Sequence, residues 1–273
     1  MEMPDYVKTA LDFYEFDYFG CKLPKDNIKE LVKICARRAY IDLCRTITYN
    51  KNINENYHAL FREKIGEYIF TQIEEYRLLE SEKDTIFNSR HSTICENIVN
   101  MARSAKTEYG DDILTIRKIK TKKADKSNCN SETKQSFYYG HAQKWLNMTL
   151  KYMWMAGALK DRGNVETYLH IPVDRYIIKA VLKNEDVYLP LKSGKKQRLS
   201  AEVDDVVAWS TWNFEKYFHF QESVRQLFDG KQLPLVWENE KWIEFAPEFR
   251  EKETQKKDKD FDEWKKDKKN VFK

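Results

Sequence analysis

Two stretches carry residue types that together could do chemistry: "YGHAQKWLNMTLKYMWM" at 139–155 and "HIPVDRYIIKAV" at 170–181. In the first, Lys144 follows Gly140 closely, in the first turn of a helix expected from about Ala142 to Ala156, with apolar members Ala142, Trp145, Leu146, Leu150 and Met153. The positive end of the helix macrodipole and the outward N–H groups of that turn disfavour an ammonium, and burial acts in the same direction. An amine kept neutral is a nucleophile that can form a Schiff base at a carbonyl-level carbon. Such an amine needs a carboxylate nearby, to accept its proton or to stabilise positive charge developing in a substrate. Asp174 is the candidate. Pro172 forces Ile171 into an extended conformation, and Asp174 can cap the helix "RYIIKAVL", which fixes its carboxylate at a helix end. A structural cap by itself accounts for Asp174, and a surface position by itself accounts for Lys144.

Other residues near the pair read two ways. His141 can touch a phosphate or a base, or hydrogen-bond locally at its helix start. Gln143 and Asn147 share the helix's polar side and can face a partner or water. Arg175 can contact a phosphate or form a surface pair. Trp209 and Trp212 can stack on an extruded base or simply pack before the next helix. His58, His91, His170 and His219 lack metal-ligand spacing, and the chain has neither a Gly-rich phosphate loop nor a serine–histidine arrangement. The expected reaction therefore uses no metal or organic cofactor.

The elements that must position these groups are mostly helices. Aromatic residues make up 14% of the 273 residues, against only 8 glycines and 6 prolines, which favours helices over a turn-rich sandwich. Behind Asp26, Ile28, Leu31, Val32, Cys35, Ala39 and Leu43 fall at helical spacing; over 55–80, Tyr57, Leu60, Phe61, Ile65, Tyr68, Ile69, Ile73, Tyr76 and Leu79 form one stripe. A third helix is expected over about 84–108. Another follows Asn213, with Phe214, Tyr217, Phe218, Gln221, Val224 and Phe228 on one face and Gly230 as its stop. "VYLPLKSGKKQRLSAEV" reads as a short hairpin around Ser193-Gly194. The organisation expected is a single two-lobed domain over 1–247, made of N-terminal helices (1–116), an exposed basic loop (117–136) and a second half (137–247), followed by a charged tail or helix over 248–273.

Charge narrows the partners. The net charge of +4 sets 48 basic against 44 acidic residues, too small globally to argue for nucleic acid. Within 116–126, however, six basic residues, Lys120, Lys122 and Lys123 among them, face Asp125 alone, concentrating positive potential before the lysine helix; a solvated loop accounts for them equally. Five cysteines, odd in number and without zinc or iron–sulfur spacing, read as reduced thiols. The acidic N-terminus lacks the order of a signal peptide and no apolar run reaches the length of a membrane span, so a cytoplasmic protein without membrane contact is expected.

A glycine turn, a lysine in the next helix, and a "PVD" element opening another helix together resemble the helix-hairpin-helix DNA glycosylases of the 8-oxoguanine glycosylase fold. The nearest branch is the archaeal type, whose lysine and aspartate are further apart than in the bacterial endonuclease branch. The likeness covers about 137–182 and implies a mostly α, two-lobed fold with little β. By the same resemblance, Lys144 is the nucleophile at the sugar C1′, Asp174 the assisting carboxylate and Gly140 the phosphate-binding turn. The chain departs from the family at "FYYGHAQK", where Ala142 stands in place of the second hairpin glycine, and no cysteine after Cys129 can hold a C-terminal iron–sulfur cluster. "WSTWNFEKYFHFQESVRQLF" and "LPLVWENEKW" resemble the tail of an uncharacterised bacterial protein family. The expected function is a DNA-binding protein that excises a damaged or modified base, with RNA as an open alternative substrate. The competing expectation is a non-catalytic component of a bacterial defence or stress system that binds nucleic acid or protein.

Overall fold

Residues 4–24, 26–75, 78–81, 83–115, 136–160, 162, 164–182, 188–190, 196–198, 209–228, 232–247 and 251 are described by a computed structural model. The described chain is mostly helical: α1 (Asp5–Phe19), α2 (Ile28–Leu43), α3 (Asn56–Glu75), α4 (Asp84–Arg103), α5 (Tyr139–Met155), α6 (Val165–Tyr168), α7 (Arg175–Leu182), α8 (Phe214–Phe228) and α9 (234–247). Its one sheet is a hairpin of β1 (Tyr188–Pro190) and β2 (Lys196–Arg198), antiparallel with Tyr188 opposite Arg198. No described helix is long and apolar enough to cross a membrane.

The helix ends follow local chemistry. α2 starts one residue later than Asp26 suggests, because the Asn27 side chain accepts from the Glu30 N–H at 3.1 Å. α4 stops at Arg103, short of 108, and the chain turns back: Lys106 bridges Asp112, and Leu114 pairs with Tyr49. α1 was not expected. It ends at Gly20, whose φ of 75° and N–H bond to the Phe16 carbonyl (2.8 Å) make a left-handed stop.

α5 is the centre of the molecule. Every residue from Tyr139 to Met153 is buried, so the helix is enclosed on all sides. α2 and α4 pack along it from the N-terminal half, and α8 with the 3-10 turn Trp209–Thr211 packs from the C-terminal half. Trp145 donates its indole N–H to the Ala36 carbonyl at 2.9 Å, pinning α5 to α2. The Arg103 Nε donates to the Phe137 carbonyl at 3.0 Å, which ties the end of α4 to the residue before α5 begins. Leu31, Leu43, Ile65, Ile69, Phe87, Trp145, Tyr152, Tyr217 and Phe220 belong to one apolar core that draws on both halves of the chain.

Candidate functional site

α5 opens three residues before Ala142. The Tyr138 N–H donates to Nδ1 of His141 at 3.1 Å, so His141, third in the helix, does what glutamate does in a capping box. With Nδ1 accepting, Nε2 carries the proton and donates to the Thr46 carbonyl at 3.3 Å; the ring stacks on Phe137 with centroids 4.9 Å apart. The imidazole is buried and used internally, not presented to a phosphate or base. This earlier start makes Lys144 the sixth helical residue, beyond the free N–H groups of the first turn, so the expected first-turn position is corrected.

Gly140 is also used internally. Its N–H donates to the Trp212 carbonyl at 3.0 Å. A Cβ there would lie 2.0 Å from the Trp209 carbonyl oxygen and 2.9 Å from Ser210 backbone atoms. Glycine is required by the chain's own 209–211 turn, which occupies the place the resemblance gives to a phosphate. Gln143, buried, donates to the Gly140 carbonyl at 3.0 Å and accepts from Asn147 at 3.0 Å. Trp212 is buried against Phe220, while partly exposed Trp209 lies edge-on to His141, so the two tryptophans pack around the start of α5. Arg175 lies over the ring of its neighbour Tyr176 and donates to that hydroxyl at 3.1 Å. Lys120, Lys122 and Lys123 lie outside the described residues.

Lys144 and Asp174, thirty residues apart, meet: Nζ donates to Oδ2 at 3.1 Å. The other oxygen, Oδ1, accepts the N–H groups of Tyr176 (2.9 Å) and Ile177 (3.0 Å) at the start of α7. Asp174 is thus both helix cap and ion-pair partner, one oxygen for each. The pair is enclosed, with side-chain exposures of 5% for Lys144 and 17% for Asp174. Burial works against the charged carboxylate, but the Lys144 charge and the Ile177 N–H outweigh it and hold the acid below its ordinary range.

A second buried pair, which the sequence reading did not isolate, lies two turns further along α5. Lys151 donates to Glu238 of α9. Burial dominates at Glu238 and raises its carboxyl above the ordinary range despite Lys151. Lys151 also acts on Asp174, and Lys144 and Asp174 act on Glu238, so the four groups share one electrostatic environment.

Next to it runs a neutral polar network, also missed. Asn147 accepts from Nε2–H of His91 at 2.7 Å and donates to the Ile171 carbonyl (3.3 Å) and the Tyr217 hydroxyl (2.8 Å). That hydroxyl donates to Nδ1 of His170 at 2.7 Å, and Nε2–H of His170 donates to Asn88 at 2.7 Å. Gln221 closes the network on the Ile171 N–H (3.1 Å) and carbonyl (2.7 Å). Burial pushes His91 down to about 4 and His170 well below the ordinary imidazole value, so both rings are neutral. The signal in the sequence was the set of polar residues at 143, 144, 147 and 151 on a helix that is otherwise mostly apolar.

No group of metal-binding side chains occurs among the described residues. Chemically, the site offers an amine held against an ionised carboxylate in an enclosed setting, open to solvent mainly at the aspartate. The fold and site define a mostly helical protein built around an enclosed helix that carries two buried amine–carboxylate pairs. No family model, curated protein or solved structure matches the chain.

Proposed function

We propose that this is a DNA-binding protein of the glycosylase class in which Lys144 and Asp174 remove a base from its sugar. The observation that carries this reading is the 3.1 Å contact between an amine on α5 and a carboxylate at the start of α7. Asp174 is held ionised, which suits it to face a cationic sugar better than to store a proton. The C1′–base bond breaks and the base leaves with a proton given up by the Lys144 ammonium. The amine then closes on C1′, and ring opening passes a proton to O4′ and leaves an imine. The base must be out of the stack to reach the pair.

Enclosure of the pair and the sealing of Gly140 by the 209–211 turn favour a second reading, in which the chain binds nucleic acid or protein without chemistry. Borohydride trapping on duplexes bearing damaged or modified bases separates the two. A covalent adduct present in the native chain and lost in Lys144→Ala supports excision. Duplex binding with no adduct for any base supports the binding component.

A further inference from the structure

A groove of about 900 Å³ runs between α2 and α3, away from the residues of the α5 site. Its charged lining is Lys33, Arg37, Arg62, Glu63, Lys64 and Glu67. Glu67 is already taken by Lys33 at 2.6 Å and by Lys29 at 3.8 Å. That leaves Arg37, Arg62 and Lys64 against Glu63, and among the described residues none of the three cations has a carboxylate partner. Arg62 lies 5.3 Å from the centroid of the Tyr40 ring, a contact that leaves its charge in place. Gly66 and Thr71 complete the lining, the latter with a hydroxyl.

We infer that this groove is a binding site for a phosphate group. Two guanidinium forks and an ammonium offer more donors than a carboxylate can accept, and their charge, less that of Glu63, matches a phosphate dianion. The volume falls within the range of small-molecule pockets. The groove and the Lys144–Asp174 pair share no residue, so this inference stands apart from the excision reading.

Calorimetric titration of the full chain with pyrophosphate, and separately with a short DNA duplex, tests it in native protein, in Arg37→Gln and in Arg37→Gln/Arg62→Gln. Arg37 is exposed, so its single variant stays folded even where loss of Arg62 from Tyr40 disturbs packing. The expected result is saturable pyrophosphate binding that weakens with salt and falls about tenfold or more on losing Arg37. Weak pyrophosphate binding with duplex binding that falls likewise on losing Arg37 also supports the site, and identifies the phosphate as one of a nucleic-acid backbone. Absence of binding by both ligands, or equal affinity in native and Arg37→Gln protein, overturns the proposal.

Discussion

Breaking the Lys144–Asp174 pair from one side exposes what the enclosed charges contribute. Lys144→Met keeps most of the length of the side chain and removes the ammonium, leaving Asp174 with the Tyr176 and Ile177 N–H bonds but no ion-pair partner in contact. Asp174→Asn keeps an oxygen for the cap and strands an ammonium whose side chain is only 5% exposed. Losing one member of a buried pair costs about 3–5 kcal/mol, because the survivor is left desolvated and unpaired. Since Lys144 is the more enclosed partner, Asp174→Asn should cost more than Lys144→Met. Asp174→Ala should cost about 1 kcal/mol beyond Asp174→Asn through loss of the cap. In the double variant Lys144→Met/Asp174→Asn no charge is stranded, so the two losses should fall short of additive by about 2–3 kcal/mol. For a chain of this size, 3 kcal/mol corresponds to a fall in Tm of about 6–12 °C, readable by scanning calorimetry. Single losses below about 1 kcal/mol, or strict additivity in the double variant, would refute the account of an enclosed pair.

Gly140→Ala should destabilise by about 2 kcal/mol or more despite the better helix propensity of alanine, since the clash is with backbone at 2.0 Å; thermal melting checks this. Asn147→Leu should cost about 2–4 kcal/mol in urea unfolding, because His91, Tyr217 and Ile171 each lose a partner in a dry setting. Stability should fall as pH drops from the ordinary histidine range. His91 is held down to about 4 by burial, so between there and 6.5 the unfolded chain binds more protons; its contribution of about 3 kcal/mol is complete above 6.5 and lost toward 4. His170 adds in the same sense. Asp174, held low, adds a share that is present above the ordinary aspartate range and lost as pH falls below it through the lowered folded value, while Glu238, held high, opposes. Urea midpoints across this range should show the slope, and His91→Gln should flatten its upper part.

The helices with one apolar stripe were legible. α2 buries the face its spacing marks, and α3 and α8 bury most of theirs, Leu60 and Phe214 being the exposed exceptions, because a surface helix shows its orientation in its pattern. α1 was not, since Leu11, Phe13, Tyr14 and Phe16 are more than half exposed and leave no stripe that points inward. α9 offered a signal that went unread: Pro234 at its first position, followed by buried Leu235, Trp237, Phe245 and Ala246. The hairpin was legible too: its two strands pair on either side of Ser193-Gly194, which lies outside the described residues.

For the site, the sequence carried the meeting of Lys144 with Asp174 but not its surroundings. Polar residues at 143, 144, 147 and 151 look like the wet face of an amphipathic helix, and whether that face is wet depends on which segments cover it. Here α7, α8 and α9 cover it, and enclosure turns each polar group from a solvated side chain into one that must be matched. Glu238 for Lys151, Asp174 for Lys144 and Tyr217 for Asn147 all come from segments C-terminal to α5. The same covering explains why Gly140 is glycine: the 209–211 turn needs its space, so a residue that reads as a phosphate-binding turn is held by the demands of packing. The enclosed side of α5 thus holds an ionised acid and an amine away from water. Of the two members Asp174 is the more exposed, so under the proposed excision the accessibility of that carboxylate, more than the presence of the lysine, is the property that separates excision from binding.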